Sequence, residues 1–118
     1  MARAKLPDPL ARRHLLSGEL APARARAIAE AYLAEGRSME AIAFLHKAAA
    51  RPELEALRAE ALQSGDVFLL REVSAALAEP PGLADWNAVA EAARACGKAL
   101  DAAEAQRQAE RLGGKGGA

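Results

Sequence analysis

Few residues of this chain could do chemistry: two histidines, a serine near one of them, and one cysteine. His14 precedes Ser17 by one helical turn, a spacing that could form half of a nucleophile pair. Nucleophilic catalysis also needs a group that orients the base and a site for the oxyanion, and the pattern supplies neither. His46 precedes Lys47 at a predicted helix end, where positive charge suits the helix dipole. Since neither histidine has another metal ligand at a suitable spacing, we expect a non-enzymatic protein without a metal or cofactor.

The single cysteine, Cys96, excludes a disulfide and a cysteine-based zinc site within the chain. It follows Ala93 on an apolar helical stripe, so we expect a small buried side chain rather than a reactive thiol. An unpaired cysteine fits a reducing compartment. The charged start has no apolar stretch behind it, and no apolar run approaches the length of a membrane span. We therefore expect a cytoplasmic protein with no membrane partner.

The charges balance overall, with 16 basic and 16 acidic residues, but they are unevenly spread. The first 26 residues have a net charge of +4. They contain the basic cluster, defined here as Arg12, Arg13, Arg24 and Arg26. An asymmetric charge can indicate an anionic partner, although the cluster lacks the interleaved aromatic residues typical of nucleic-acid binding. Nucleic acid is therefore an unlikely partner by the sequence.

Short breaks containing glycine organise the chain. They lie at Gly36, Gly65 and Gly97, separated by 29 and 32 residues, with alanine-rich helical patterns on both sides. Aromatic residues are only 3% of the chain, a composition that favours closely packed helices over a sheet. A period of this size is typical of stacked helical hairpins.

The pattern predicts about seven helices. The first runs from Asp8-Pro9 to Gly18 and the second from about Pro22 to Glu35. The third runs from Ser38 to Arg51-Pro52, and the fourth from Pro52 to Gly65. The fifth follows Asp66, Pro80-Pro81-Gly82 forms a turn, the sixth follows Asp85, and the seventh runs from about Ala99 to Leu112. The expected N-caps are Asp8, Ser38, Asp66 and Asp85, and Gly18 has the position of a C′ glycine.

These elements predict an all-α fold, a right-handed superhelix (solenoid) of about three hairpins preceded by one lead helix. Residues 1–112 would form one domain, and residues 113–118 a disordered glycine-rich tail. Apolar residues at helical spacing, including Leu45, Ala49, Tyr32 and Trp86, are expected in the core. A position just after the Pro-Pro-Gly turn also allows Trp86 to be half-exposed as an interface anchor.

The first and third hairpins resemble the tetratricopeptide repeat family. The matching positions of the first hairpin are Ile28, Ala29, Tyr32, Ala41, Leu45 and Ala48; those of the third are Trp86, Val89, Ala90, Ala102 and Ala109. Gln106 replaces a bulky residue of the family pattern, and the middle hairpin departs from it at Arg58 and Leu70. The resemblance implies a scaffold that binds a peptide or partner protein in a concave groove lined by first helices.

By position, that resemblance assigns eight groove residues. They are Arg26, Glu30, Leu33, Glu55, Leu62, Asn87, Glu91 and Arg94. The family members that grip a C-terminal carboxylate have Lys and Asn where this chain has Arg26 and Glu30, so that ligand is not implied. Two other functions stay open: self-association through open hairpin ends into a homo-oligomer, and weak binding of an anionic partner, including nucleic acid, by the basic N-terminus.

Overall fold

The computed structural model describes residues 5–113, and these form seven α-helices and no strand. The helices are α1 (Pro9–Ser17), α2 (Pro22–Ala34), α3 (Ser38–Lys47), α4 (Arg51–Ser64), α5 (Val67–Leu77), α6 (Leu83–Ala95) and α7 (Ala99–Gly113). The predicted all-α class with seven helices is thus confirmed for the described residues. Helix α7 includes Gly113, which the sequence assigned to the tail; the rest of that predicted tail lies outside the described residues.

The chain packs as two compact units, Met1–Leu54 and Glu55–Ala118, and the division lies within α4. In the first unit α2 packs along α3, and in the second α6 packs along α7. The superhelix and the single domain over residues 1–112 stay predictions.

Five helices end in the same way, with one residue in the left-handed region. At three ends that residue is Gly36, Gly65 or Gly97, with φ of 72°, 73° and 74°. The next amide then bonds to the carbonyl five residues back. These bonds are Arg37 N to Tyr32 O (2.9 Å), Asp66 N to Ala61 O (3.1 Å) and Lys98 N to Ala93 O (2.8 Å). This is the 6→1 hydrogen bond of the Schellman motif, and it confirms the predicted breaks.

Alanine takes the same position at the ends of α3 and α5. Ala49 has φ of 53° and Ala78 has φ of 57°. Their 6→1 bonds join Ala50 N to Leu45 O (2.9 Å) and Glu79 N to Ser74 O (3.0 Å). The prediction that Arg51-Pro52 ends the third helix is therefore wrong, because the turn at Ala49 ends α3 at Lys47. Ala49 is also exposed rather than in the core.

The N-cap predictions are half confirmed. Asp8 accepts a hydrogen bond from Ala11 N at 2.8 Å, and Asp66 accepts one from Leu69 N at 3.0 Å. Ser38 is instead the first residue of α3, whose cap is Arg37 without a side-chain bond.

Two further end residues differ from the prediction. The cap of α6 is Gly82, and Asp85 lies one turn later, where its Oδ2 accepts from Gly82 N at 2.9 Å. Asp85 thus stabilises the helix start from the N3 side. Gly18 has φ of −102° and is extended, so it is not a left-handed C′ glycine.

The core of the first unit lies between α2 and α3. Tyr32 and Phe44 stack with ring centroids 5.8 Å apart, and both are fully buried. Leu45 is 0% exposed, as its predicted core position requires. Phe44 was missing from the sequence-based stripe because α3 buries more than one narrow face.

In the second unit, small residues let α6 and α7 approach closely. Val89, Ala90 and Ala93 are buried on α6, and Ala102, Ala105 and Ala109 are buried on α7. Trp86 is 5% exposed, which confirms the core prediction over the interface-anchor alternative. Cys96 is exposed just beyond the last turn of α6, so the prediction of a buried thiol is wrong: the helix ends before its stripe reaches that position.

Candidate functional site

In the first unit, α2 carries three of the predicted groove residues. Arg26, Glu30 and Leu33 follow one another at steps of four and three, so they share one helix face. Glu30 is exposed and Leu33 is half-buried. The guanidinium of Arg26 forms an ion pair with Glu53 on α4. Sequence reasoning missed Glu53, although its distance of 27 residues from Arg26 is close to the repeat length.

In the second unit, α4 and α6 carry the other five. Glu55, Asn87, Glu91 and Arg94 are exposed and Leu62 is half-buried, as expected for residues open to a ligand. Arg94 donates to Glu91 at 3.1 Å, so the structure brings these two groove residues together.

The unpredicted ion pair of this unit lies between α4 and α6. Arg58 Nη2 donates to Asp85 Oδ2 at 2.5 Å, so Asp85 serves both this pair and the start of α6. As with Arg26 and Glu53, 27 residues separate the partners. Because three of the eight groove residues lie in the first unit and five in the second, a single groove stays a prediction.

The structure uses Arg12, the central member of the basic cluster, as an internal contact. Its guanidinium lies 5.9 Å from the centroid of Tyr32 and 5.5 Å from that of Phe44. Its Nη2 donates to Glu40 O at 3.0 Å, while its buried Nε has no hydrogen-bond partner. A cation over two aromatic faces is a stabilising arrangement, and here it joins α1 to α3. Two of the four clustered arginines, Arg12 and Arg26, are thus engaged inside the protein, and Arg13 and Arg24 are exposed.

The candidates for nucleophilic chemistry do not assemble. The hydroxyl of Ser17 donates to the backbone carbonyl of His14 at 3.3 Å, which is a local helix contact rather than a nucleophile–base pair. His46 is exposed in the last turn of α3, beside Lys47. Among residues 5–113, His, Cys, Asp and Glu form no group of three or more that could hold a metal ion. Within the same range, no helix has the length and apolar character needed to cross a membrane.

A concave site that the sequence did not predict lies at the carboxyl end of α5. This α5 hollow has a volume of about 330 Å³, and its lining is mainly apolar. Its walls are Arg71, Ser74, Ala75, Ala78, Glu79, Pro80 and Pro81. Ser74 is 1% exposed, and its Oγ has no hydrogen-bond partner. A buried polar group without a partner is uncommon in native structures, which makes this site different from the other described surfaces.

The repeat spacing explains the composition of the α5 hollow. Ser74 follows Leu45 by 29 residues, the same interval that separates Ala78 from Ala49 and Gly65 from Gly36. Both side chains are fully buried. A small hydroxyl residue therefore occupies the place that a leucine fills in the first unit. Aligning the two units on their left-handed alanines would have revealed this exchange.

The rim of the α5 hollow is held by charge. Arg71 has its guanidinium 5.7 Å from the centroid of Trp86, and it forms an ion pair with Glu104 on α7. Glu104 also accepts hydrogen bonds from Gln108 and Arg107. Together these donors, with Gln108 the largest cause, lower the pKa of Glu104 from 4.5 to about 2. Arg71 is thus fixed at both ends of its guanidinium, by a ring and by a carboxylate.

Comparison of the chain with models of known protein families, with curated proteins and with solved structures finds no match. The case for a function therefore depends on the geometry of the described residues.

Proposed function

We propose that this chain is a non-enzymatic, tetratricopeptide-like interaction module that binds a peptide or a partner protein. The binding residues are the predicted groove residues on the exposed faces of α2, α4 and α6. The observation that carries the proposal is the recurrence of one helix-end geometry. The same left-handed turn closes α2 and α4, and closes α3 and α5, with 29 residues between equivalent positions in both cases. Recurrent helical units at such a period commonly present surfaces for partners.

The contacts between alternate helices also support a repeat. An arginine on one helix binds an acceptor on the helix two further along the chain in four cases. These are Arg12 to Glu40 O (α1 to α3), Arg26 to Glu53 (α2 to α4), Arg58 to Asp85 (α4 to α6) and Arg71 to Glu104 (α5 to α7). Successive hairpins that stack place equivalent helices side by side, which is the relationship that these contacts need.

The exposed groove residues indicate the kind of ligand. Their charges are mixed, with Glu30 on α2 and the Glu91–Arg94 pair on α6, while Leu33 and Leu62 add half-buried apolar surface. Such a surface suits a polar peptide that carries both charges and is held by several weak contacts. The proposed setting is the reducing cytoplasm, since the single cysteine of the chain is exposed and has no second cysteine to pair with.

Charge reversal tests the groove residues against the basic cluster. Partners of the wild-type chain would be captured from a lysate of its host by crosslinking, identified by mass spectrometry, and produced pure for titration. Glu30→Arg with Glu91→Arg should then weaken binding of the purified partner at least tenfold. Arg13→Glu with Arg24→Glu is the matched control, because both arginines are exposed; Arg12 is unsuitable, since it contacts Tyr32 and Phe44.

The outcomes separate the alternatives. If the glutamate variant binds normally while the arginine variant loses the partner, the proposal is wrong and the basic N-terminus is the site. Steep weakening with salt would identify a phosphate-bearing ligand. Light scattering of the purified chain would reveal self-association, and concentration-dependent growth in mass without any other partner would favour that function instead.

A further inference from the structure

We propose that the α5 hollow binds the side chain of a tyrosine from a partner peptide. The proposal rests on the proposed function for its ligand class, a peptide, but it uses residues that are not among the predicted groove residues. All of its walls lie in the second unit. Three properties of the site carry it: an apolar wall of suitable size, an unpaired hydroxyl, and a fixed guanidinium.

The size and walls of the hollow fit one aromatic side chain. Its volume of about 330 Å³ is at the lower end of the range for ligand pockets, roughly 300–1,000 Å³. The rings of Pro80 and Pro81 and the methyl groups of Ala75 and Ala78 form its apolar part. A flat ring can contact these walls without placing any charge against them.

The hydroxyl of Ser74 selects the polar end of the ligand. A buried hydroxyl without a partner is destabilising, and a ligand that completes its hydrogen bond removes that penalty. A phenol hydroxyl both donates and accepts, so it can pair with Ser74 Oγ in either sense. Phenylalanine would fill the apolar part and leave Ser74 unpaired. The chemistry of the site therefore favours tyrosine.

Arg71 adds an interaction with the ring of the ligand. One face of its guanidinium lies over Trp86, and Glu104 holds the group in place. A planar guanidinium can stack on an aromatic ring, and its cation is attracted to the ring face. Because Arg71 lines the hollow, a tyrosine ring there would meet a cation that is already ordered.

The test compares two probes that differ by one hydroxyl, N-acetyl-tyrosine amide and N-acetyl-phenylalanine amide. Both would be titrated into the ¹⁵N-labelled full chain, and binding would be followed at the backbone amides of Ser74, Ala75, Ala78 and Glu79. We expect the tyrosine probe to bind about fivefold more tightly than the phenylalanine probe, the effect of one net hydrogen bond. Ser74→Ala should remove this difference by weakening the tyrosine probe about fivefold, with the phenylalanine probe unchanged.

Two further variants control for packing. Ala75 is exposed and lines the hollow, so Ala75→Leu should fill it and abolish binding of both probes. Ala103 is exposed on α7 and does not line the hollow, so Ala103→Leu should leave both affinities unchanged. Urea denaturation of Ser74→Ala should show a midpoint equal to or above that of the wild type, which verifies that lost binding is not lost folding.

Two results would overturn the proposal: no saturable shift at these amides with the tyrosine probe, or equal affinity of the two probes for the wild type. Either result leaves the groove residues untested and their own charge-reversal experiment intact. Conversely, tyrosine binding that survives Glu30→Arg with Glu91→Arg, in a chain that has lost no partner, would show that the hollow is a site and the groove is not.

Discussion

The backbone of Gly65 lies directly against the backbone of Ala93. A methyl group added to Gly65 would lie 2.5 Å from Ala93 Cα and 2.9 Å from the carbonyl carbon of Ala92. The turn after α4 therefore needs glycine for two reasons, a left-handed φ of 73° and the closeness of α6. Gly97 has the same backbone conformation in the same unit but has no atom within 4 Å of an added methyl group. The pair separates the cost of conformation from the cost of a clash.

We expect Gly65→Ala to destabilise the protein more than Gly97→Ala. Alanine in the left-handed region should cost about 1–2 kcal/mol at either position. The clash with Ala93 adds a further 1–3 kcal/mol or so at Gly65 only, because backbone atoms cannot move aside as a flexible side chain can. Urea denaturation followed by circular dichroism measures both losses. Equal losses would mean that α4 and α6 do not approach as closely as described.

The left-handed alanines predict the opposite sign. Ala49→Gly and Ala78→Gly should each stabilise the protein by about 0.5–1 kcal/mol, because glycine adopts positive φ without the steric penalty of a Cβ atom. Ala103→Gly is the control: it lies inside α7, is exposed, and should lose roughly 1 kcal/mol. The measurement is the change in urea midpoint. Loss of stability in either turn variant would contradict the left-handed assignment.

Leu45 should be among the most sensitive positions of the first unit. Leu45→Ala should cost about 2–5 kcal/mol, because the side chain is 0% exposed and its removal leaves a cavity. Leu10→Ala, at a position 63% exposed, should change the free energy of unfolding by less than about 0.5 kcal/mol. Thermal or urea unfolding compares the two. A loss below about 0.5 kcal/mol for Leu45→Ala would show that the inward face of α3 is misassigned.

Glu104 should contribute to acid stability in a defined pH range. Its pKa is lowered from 4.5 to about 2 in the folded protein by Gln108, Arg107 and Arg71. A lowered carboxyl pKa means that the unfolded chain binds the proton more readily, so this contribution is complete above pH 4.5 and is lost as the pH falls towards 2. Glu104→Gln should therefore flatten the decline of the unfolding midpoint across that range. An unchanged slope would contradict the role of these hydrogen bonds.

The sequence predicted the fold where one residue type has one strong local preference. Gly36, Gly65 and Gly97 ended helices because glycine tolerates positive φ, and Asp8 and Asp66 capped helices because their short carboxylates reach the free amides. It failed where the local signal pointed to a neighbour. Pro52 drew the predicted end of α3 to Arg51, although the turn had already formed at Ala49.

The candidate site was harder to predict because its residues gain meaning only through packing. Glu53 and Arg12 look like ordinary surface charges in the sequence, yet one binds Arg26 and the other covers Tyr32 and Phe44. Ser74 lies in an apolar helix where a single serine carries no signal, and only the fold shows that its hydroxyl is buried and unpaired. The helical period locates a face, but it does not identify which residue of another helix meets that face.

The position of two aromatic residues makes each unit separately visible to spectroscopy. Tyr32 is the only tyrosine of the chain and lies in the core of the first unit; Trp86 is the only tryptophan and lies in the core of the second. Excitation at the red edge of absorption reports Trp86 alone, and the tyrosine absorbance band reports on the surroundings of Tyr32. Coincident transitions from the two chromophores would be the signature of one cooperative folding reaction, and separated transitions that of two. The native chain therefore carries its own labels for measuring how its halves are coupled.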